Sequence, residues 1–240
     1  MKKLELIAFN ISCCLNIEKA GAHRIELCAN PHEGGTTPSA GFIQSARKKV
    51  SIELFPIIRP RGGNFLYTED EFEVIKADVL FCKKAGCDGV VTGMLQPDGF
   101  VDKLKIAEVV ALAHPMQVTF HRAFDRTIDP WQALEDIIDA GCSRILTSGL
   151  QPTALQGSNL IRKLISKAAN RIVIMPGSGI RSSNIRELAD LSLATEFHSS
   201  ARKVGSNGMQ YANPSLVEDQ AHAVSDTPEV LKMLQILQAI

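Results

Sequence analysis

The 240-residue sequence predicts a single-domain α/β fold, a closed (β/α)8 TIM barrel of eight parallel strands, and three observations point there. Short β-branched runs alternate with helical patterns from end to end, which implies βαβ units and a parallel sheet. Eight such units in this length fit the barrel, whose usual size is about 250 residues. The competing open, doubly wound sheet normally carries a G-x-G-x-x-G turn after its first strand, and here that strand is followed by "NISCCLN". With no linker and no shift in composition, residues 1–240 are expected to form one domain.

The elements follow in order. The first strand is "LELIAFN" over 4–10. Two lysines before it imitate a signal peptide, but Glu5 and Asn10 interrupt the apolar region and no small-residue cleavage pattern follows, so a cytoplasmic protein is expected. Further strands are expected over 24–29, 51–60, 89–95, 117–122, 144–149, 171–177 and 195–200. A helix is predicted over 70–86 and another over 130–141, the latter with Asp129 as N-cap, Pro130 at the first helical position and Gly141 closing it. Both helices end in "AGC" just before a strand. The last helix falls over 227–238, after an irregular stretch over 203–223 that reads as a flexible cap.

Composition narrows the function. Lys plus Arg and Asp plus Glu each number 26, and neither sign forms blocks, so nucleic-acid binding by bulk charge is not expected. No apolar run approaches the roughly 20 residues of a membrane helix. The six cysteines are scattered through apolar segments without a CxxC pair, which does not look like a disulfide framework and argues against structural zinc.

Chemistry collects at the expected carboxyl ends of the strands, where barrels of this kind place their active sites. Strand two ends in Glu26 and Cys28, strand three in Arg59 and Arg61, and strand five in Thr119, His121 and Arg122, with Asp125 beyond. Strand six ends in Thr147 and Ser148, and strand eight in Glu196, His198, Ser199 and Ser200. The strand starts carry nothing comparable on this reading. Side chains two apart share a face, so Glu26 with Cys28, Thr119 with His121 and Glu196 with His198 are expected to form a polar layer at the mouth. A mutually satisfied polar core that only fixes register is the alternative for any single pair.

Two loops suit anions. "PGSGIRSSNI" over 176–185 brings Gly177, Gly179 and a helix beginning near Arg181, and "HSSAR" over 198–202 brings Ser199 and Ser200. Loops after strands seven and eight commonly cradle phosphate in this fold. Arg59 and Arg61 of "RPRGG" add forked donors for an oxyanion. Glu26, His121, Glu196 and His198 are the catalytic candidates. Arg59, Arg61, Arg122, Asp125, Thr147, Ser148, Gly177, Gly179, Ser199 and Ser200 are the ligand-binding candidates.

The strings "ELCANPHEGGTTPS", "PIIRPRGGNF", "DGVVTGML", "VTFHRAFD", "RILTSG", "PGSGI" and "EFHSSAR" resemble the CutC family, the copper homeostasis proteins, in order and spacing from residue 4 to about 202. The resemblance implies a cytoplasmic barrel, a homo-oligomer (dimer or tetramer), and possible binding of Cu(I) in copper homeostasis. Within that family Cu(I) is assigned to a cysteine on strand one together with the cysteine of the "ELC" motif. Cys28 fills the second position and is the metal candidate, while Ile7 stands at the first. A soft cation wants two or three thiolate or thioether ligands, so Cys13, Cys14, a methionine, His121 or His198 would have to supply the rest. The alternative to copper handling is an isomerase, aldolase or lyase acting on a small anionic or phosphorylated substrate at the barrel mouth.

Overall fold

Eight parallel strands, each followed by a helix, make the barrel expected from the sequence. The structure is a computed structural model that describes residues 2–206, 208–211, 213, 215, 216 and 221–240. The strands are β1 (Lys3–Ala8), β2 (Arg24–Leu27), β3 (Glu53–Pro56), β4 (Gly89–Thr92), β5 (Gln117–Phe120), β6 (Arg144–Thr147), β7 (Val173–Pro176) and β8 (Glu196–Ser199). The helices are α1 (Ile11–Lys19), α2 (Ala40–Lys49), α3 (Glu69–Ala85), α4 (Lys103–Ala113), α5 (Pro130–Asp139), α6 (Ser158–Ala168), α7 (Ile185–Ser192) and α8 (Thr227–Gln238). Hydrogen bonding runs in the orders β3-β2-β1-β8 and β4-β5-β6-β7. A parallel bridge from Ile57 to Val91 joins β3 to β4, and β7 lies beside β8.

The strand faces follow the two-residue period. Leu4, Leu6 and Ala8 of β1, with Ile25 and Leu27 of β2, point outward into the shell between sheet and helices. Cys28, Phe55, Ile57 and Val91 form a separate small cluster, packed by Ile7 and Phe9; it fills the inside of the barrel. Local chemistry sets the helix ends. Thr68 and Glu71 form a reciprocal capping box on α3, and Gly86 closes that helix at φ +81°, a left-handed turn that glycine adopts without strain. Asp129 caps α5 as expected, accepting from the N–H groups of Trp131 and Gln132. That helix ends at Asp139, short of the expected 141, because Ala140 takes the cap position and Gly141 turns at φ +89°.

The stretch over 203–223 is bounded by two short antiparallel strands, β9 (Arg202–Val204) and β10 (Ala223–Ser225). Residues 207, 212, 214 and 217–220 of the expected cap lie outside the described ones. Among the described residues no helix is long and apolar enough to cross a membrane.

Candidate functional site at the barrel mouth

The strand starts are not empty, which corrects the expectation above. Arg24 opens β2, Arg144 opens β6 and Glu196 opens β8. Arg24 donates to Glu196 at 2.9 Å, to Glu5 at 3.2 Å and to Glu53 at 2.8 Å. Arg144 donates to the same Glu196 oxygen at 2.8 Å, and also to Thr119 and Gln117. The Phe55 ring carries both guanidiniums, at 4.9 and 5.6 Å. Gly89 makes room for that ring, since a Cβ there would run into it. Glu196 therefore belongs to a paired floor layer and not to the mouth. Burial alone would raise its pKa, but Arg144 and Arg24 outweigh that and hold it low, so it does not suit acid–base work at neutral pH.

One layer higher lies a cavity of about 320 Å³. Among the candidates it is lined by Glu26, Cys28, Arg59, His121, Arg122, Gly179, His198, Ser199 and Ser200. His198 sits two residues after Glu196, on the same inward face. Its Nδ1 donates to Glu5 at 2.7 Å, and its Nε2 stands 3.5 Å from Glu26. The three make a buried chain, Glu5–His198–Glu26, with one ligating atom of each within 4.8 Å of the others.

Charge is distributed unevenly along that chain. For Glu5, burial is overcome by the hydrogen bond and charge of His198, with Arg24 and Arg144 behind, and its pKa falls to about 2. For Glu26, burial dominates and the negative charge of Glu5 adds to it, so its pKa rises to about 7 despite His198. Burial opposes the charged form of His198, but the Glu5 hydrogen bond and the two carboxylates win and raise its pKa. Glu26 thus exchanges a proton near neutral pH while Glu5 stays ionised and holds the imidazole.

The cysteine beside them behaves differently. Burial first, then Glu26 and Glu5, push the Cys28 thiol well above its ordinary range. The protonated thiol is positioned to donate to Glu26. His121 is driven the other way, to about 3, by burial and by Arg59. It stays neutral near pH 7, which does not suit the acid–base part assigned to it from sequence.

Other candidates turn out to hold the scaffold. Arg59 lines the cavity, but its terminal nitrogens are spent on the carbonyls of Glu33, Gly35 and Gly63. It staples two loops and lends the cavity its charge. Arg61 leaves the cavity to pair with Glu71 at the start of α3 and to lie over Tyr67. Asp125 is tied to Thr147 and to Ser148, accepting from both hydroxyls and from the Ser148 N–H. Those three form a knot outside the cavity; Arg122 bridges it to the cavity wall by pairing with Asp125 at 2.7 Å. Gly177 uses its amide on the Thr147 carbonyl, and a Cβ there would collide with Leu146 and come within 3.2 Å of His198. Its role is close approach rather than ligand binding.

The anion loop is better formed one residue later. Ser178 and Gly179 take φ of +88° and +72°, and the N–H groups of Ser178, Gly179 and Ile180 have no acceptor among the described residues. Arg181 and Arg202 complete that rim. Glu5, Arg202 and Phe65 were not among the sequence candidates, and Arg181 was named only as the start of a helix that begins instead at Ile185; the signal for Glu5 was an acid two residues before Ile7 on an otherwise apolar strand.

One family model, described as the CutC family, matches residues 2–203. The chain belongs to the CutC family. A Mus musculus relative named copper homeostasis protein cutC homolog is 46% identical over 223 residues, covering 93% of this chain and 82% of the relative. A Chromobacterium violaceum family protein CutC is 49% identical over 210 residues, with 88% and 85% covered. The crystal structure of a putative copper homeostasis protein CutC from Streptococcus agalactiae superposes with a TM-score of 0.79 at 30% identity, covering 83% of this chain and 99% of that one. A phosphoribosylanthranilate isomerase from Thermotoga maritima superposes over the whole of both chains with a TM-score of 0.60 at 11% identity, which is a likeness of fold.

Proposed function

We propose that the mouth of this barrel is an acid–base site that binds a small anionic or phosphorylated substrate and moves a proton on it. The observation that carries the reading is the Glu5–His198–Glu26 chain, whose Glu26 and His198 line the same cavity as Ser178, Gly179 and Ile180, residues whose amides have no acceptor among the described ones. Glu26 takes or gives the proton, with a pKa matched to neutral pH. His198 steadies the ionised form of Glu26, and Glu5 fixes the imidazole. The amides after β7, with Arg181 and Arg202 at the rim, hold the anion.

A Cu(I) site does not fit these residues. Cys28 is the one cysteine lining the cavity, no methionine lines it, and the thiol is held protonated. Cys13, Cys14, Cys82, Cys87 and Cys142 lie in the shell outside the barrel, and Ile7 packs on the Cys28 cluster where a second thiol would be needed. Competition with a calibrated Cu(I) chelator should show weak binding by wild type and at least tenfold tighter binding by Ile7→Cys, about 1.4 kcal/mol. Tight stoichiometric binding by wild type, lost in Cys28→Ser, contradicts this part of the account.

The acid–base reading is tested by calorimetric titration with inorganic phosphate at matched ionic strength. Millimolar affinity, about 4 kcal/mol, is expected for wild type. It should disappear in Gly179→Val, where a side chain meets a left-handed backbone and Thr153 at 3.2 Å, and persist in Glu26→Gln. No response from wild type sinks the reading.

A further inference from the structure

His121 carries a hydrogen-bond donor that nothing in the protein uses. Its Nδ1 accepts from the Ala123 N–H at 3.1 Å, so the neutral ring bears its proton on Nε2. Nε2 is buried and has no partner among the described residues. Because Nδ1 is tied back to the chain that leaves β5, Nε2 is the nitrogen left without a partner among the described residues, on a ring that helps to line the cavity. The ring cannot swing to find another acceptor. Phe65 covers it with centroids 4.8 Å apart, and it is seated so closely on Gly93 that a Cβ there would stand 2.5 Å from Nδ1. Buried polar groups in native proteins nearly always have partners. An orphan N–H on a ring that lines a cavity therefore calls for an acceptor on a ligand.

We propose that His121 is a catalytic residue whose Nε2–H binds the carbonyl oxygen of the substrate, and that the substrate class is a small aldehyde or ketone carrying a phosphate or carboxylate, from whose adjacent carbon Glu26 takes a proton. This rests on the proposed function and adds the reacting group to it. Glu26 on β2 and His121 after β5 come from the two different four-stranded arcs, so a bound carbonyl compound lies between them. In the forward step the C–H bond breaks and its proton passes to a Glu26 oxygen. The electron pair forms the new C=C bond, and the carbonyl π pair moves onto the oxygen that His121 holds. His121 keeps its own proton throughout, as a neutral imidazole does when it acts as an electrophile. Return of the proton from Glu26 to carbon restores the carbonyl compound, so no oxidant or further reactant is required.

Two measurements test the inference. In the first, the protein is labelled with 15N-histidine and titrated with phosphoglycolohydroxamate, an enediolate mimic, across pH 5 to 8. The His121 resonances, assigned by their loss in His121→Gln, should report one neutral Nε2–H tautomer throughout, with its proton moving downfield on adding the mimic. In the second, deuterium uptake from D2O into dihydroxyacetone phosphate and pyruvate is followed by mass spectrometry. Wild type should label at least one of them, and His121→Gln should slow that exchange by about 10²-fold while still binding inorganic phosphate. A His121 that titrates near 6.5, a proton unmoved by bound mimic, no exchange into either compound, or exchange by His121→Gln at the wild-type rate each overturns the inference. If wild type binds phosphate and exchanges, but the His121 ring titrates, ignores the mimic or proves dispensable, only the role of His121 falls. If wild type binds phosphate without exchange, the carbonyl substrate and the proton transfer by Glu26 fall with it. If it does not bind phosphate, the anion cradle falls as well.

Discussion

Arg24 and Arg144 share the Glu196 carboxylate at 2.9 and 2.8 Å, whereas one layer higher Glu26 has only the Cys28 thiol and His198 Nε2, 3.5 Å away. Both layers are buried, and both mix acids with nitrogen bases. In the floor, opposite charges meet at hydrogen-bond distance and hold Glu196 ionised. In the mouth, two carboxylates compete for one imidazole, so Glu26 is left close to its titration point. The floor has its chemistry saturated and fixes the barrel. The mouth keeps donors and a proton in reserve, and that is what a ligand can use.

The largest effect expected from this contrast is in the floor. Arg24→Met strands Glu5, Glu53 and Glu196 with too few partners, and removing one member of a buried charge network destabilises by about 3–5 kcal/mol. A urea midpoint shifted that far, set beside a change of about 1 kcal/mol or less for Glu26→Gln at about pH 5, where Glu26 is protonated, would bear out the distinction. Equal losses at the two positions would erase it.

The next effect is in the pH dependence of stability. A carboxyl whose folded pKa is raised contributes stability that is complete below its unfolded value of 4.5 and is lost as pH rises through about 7. Its share is on the order of 3 kcal/mol, and the raised pKa of His198 acts in the same direction. Glu5, lowered to about 2, acts oppositely, since its contribution is lost only as pH falls from 4.5 towards 2. Urea titrations from pH 5 to 8 should therefore show Glu26→Gln gaining stability relative to wild type as pH rises to about 7. Taking that difference removes the opposing contribution of His121, whose lowered pKa makes the fold more stable as pH rises towards 6.5. A difference between the two proteins that stays constant over that range would contradict the assignment of Glu26.

The contrast also shows what was legible in the residues alone. Alternation of strand and helix, the "AGC" helix ends and the pairing of Glu26 with Cys28 on one face all follow from local periodicity and turn chemistry, and the structure has them. Height in the barrel is not local. Glu196 and His198 share a face because they are two apart, but a four-residue strand places them in different layers, and only the neighbouring strands determine which is floor and which is mouth. Arg61 was misplaced for a related reason. It shares spacing with Arg59, but the chain has left the barrel by then and finds Glu71. Glu5 read as an interruption of an apolar strand, because its partner His198 is 193 positions away.

A smaller effect concerns the seat of His121. Gly93→Ala puts a methyl group against the ring and should cost about 1–3 kcal/mol as the imidazole is displaced. The histidine tautomer seen by NMR should change with it, while the floor ion pairs stay intact. An unchanged His121 signal in a folded Gly93→Ala protein would show that the ring is not held as tightly as described.

The most direct measurement of the difference between floor and mouth is a carboxyl-detected NMR titration of protein labelled with 13C at the glutamate side chains. One glutamate should titrate near pH 7, and its signal should vanish in Glu26→Gln. Glu5 should remain ionised down to about pH 2, and Glu196 should titrate below the ordinary carboxylate range. A spectrum in which every glutamate titrates below 5 would mean that Glu26 holds no proton near neutral pH, and the mouth would then be a second saturated layer like the floor.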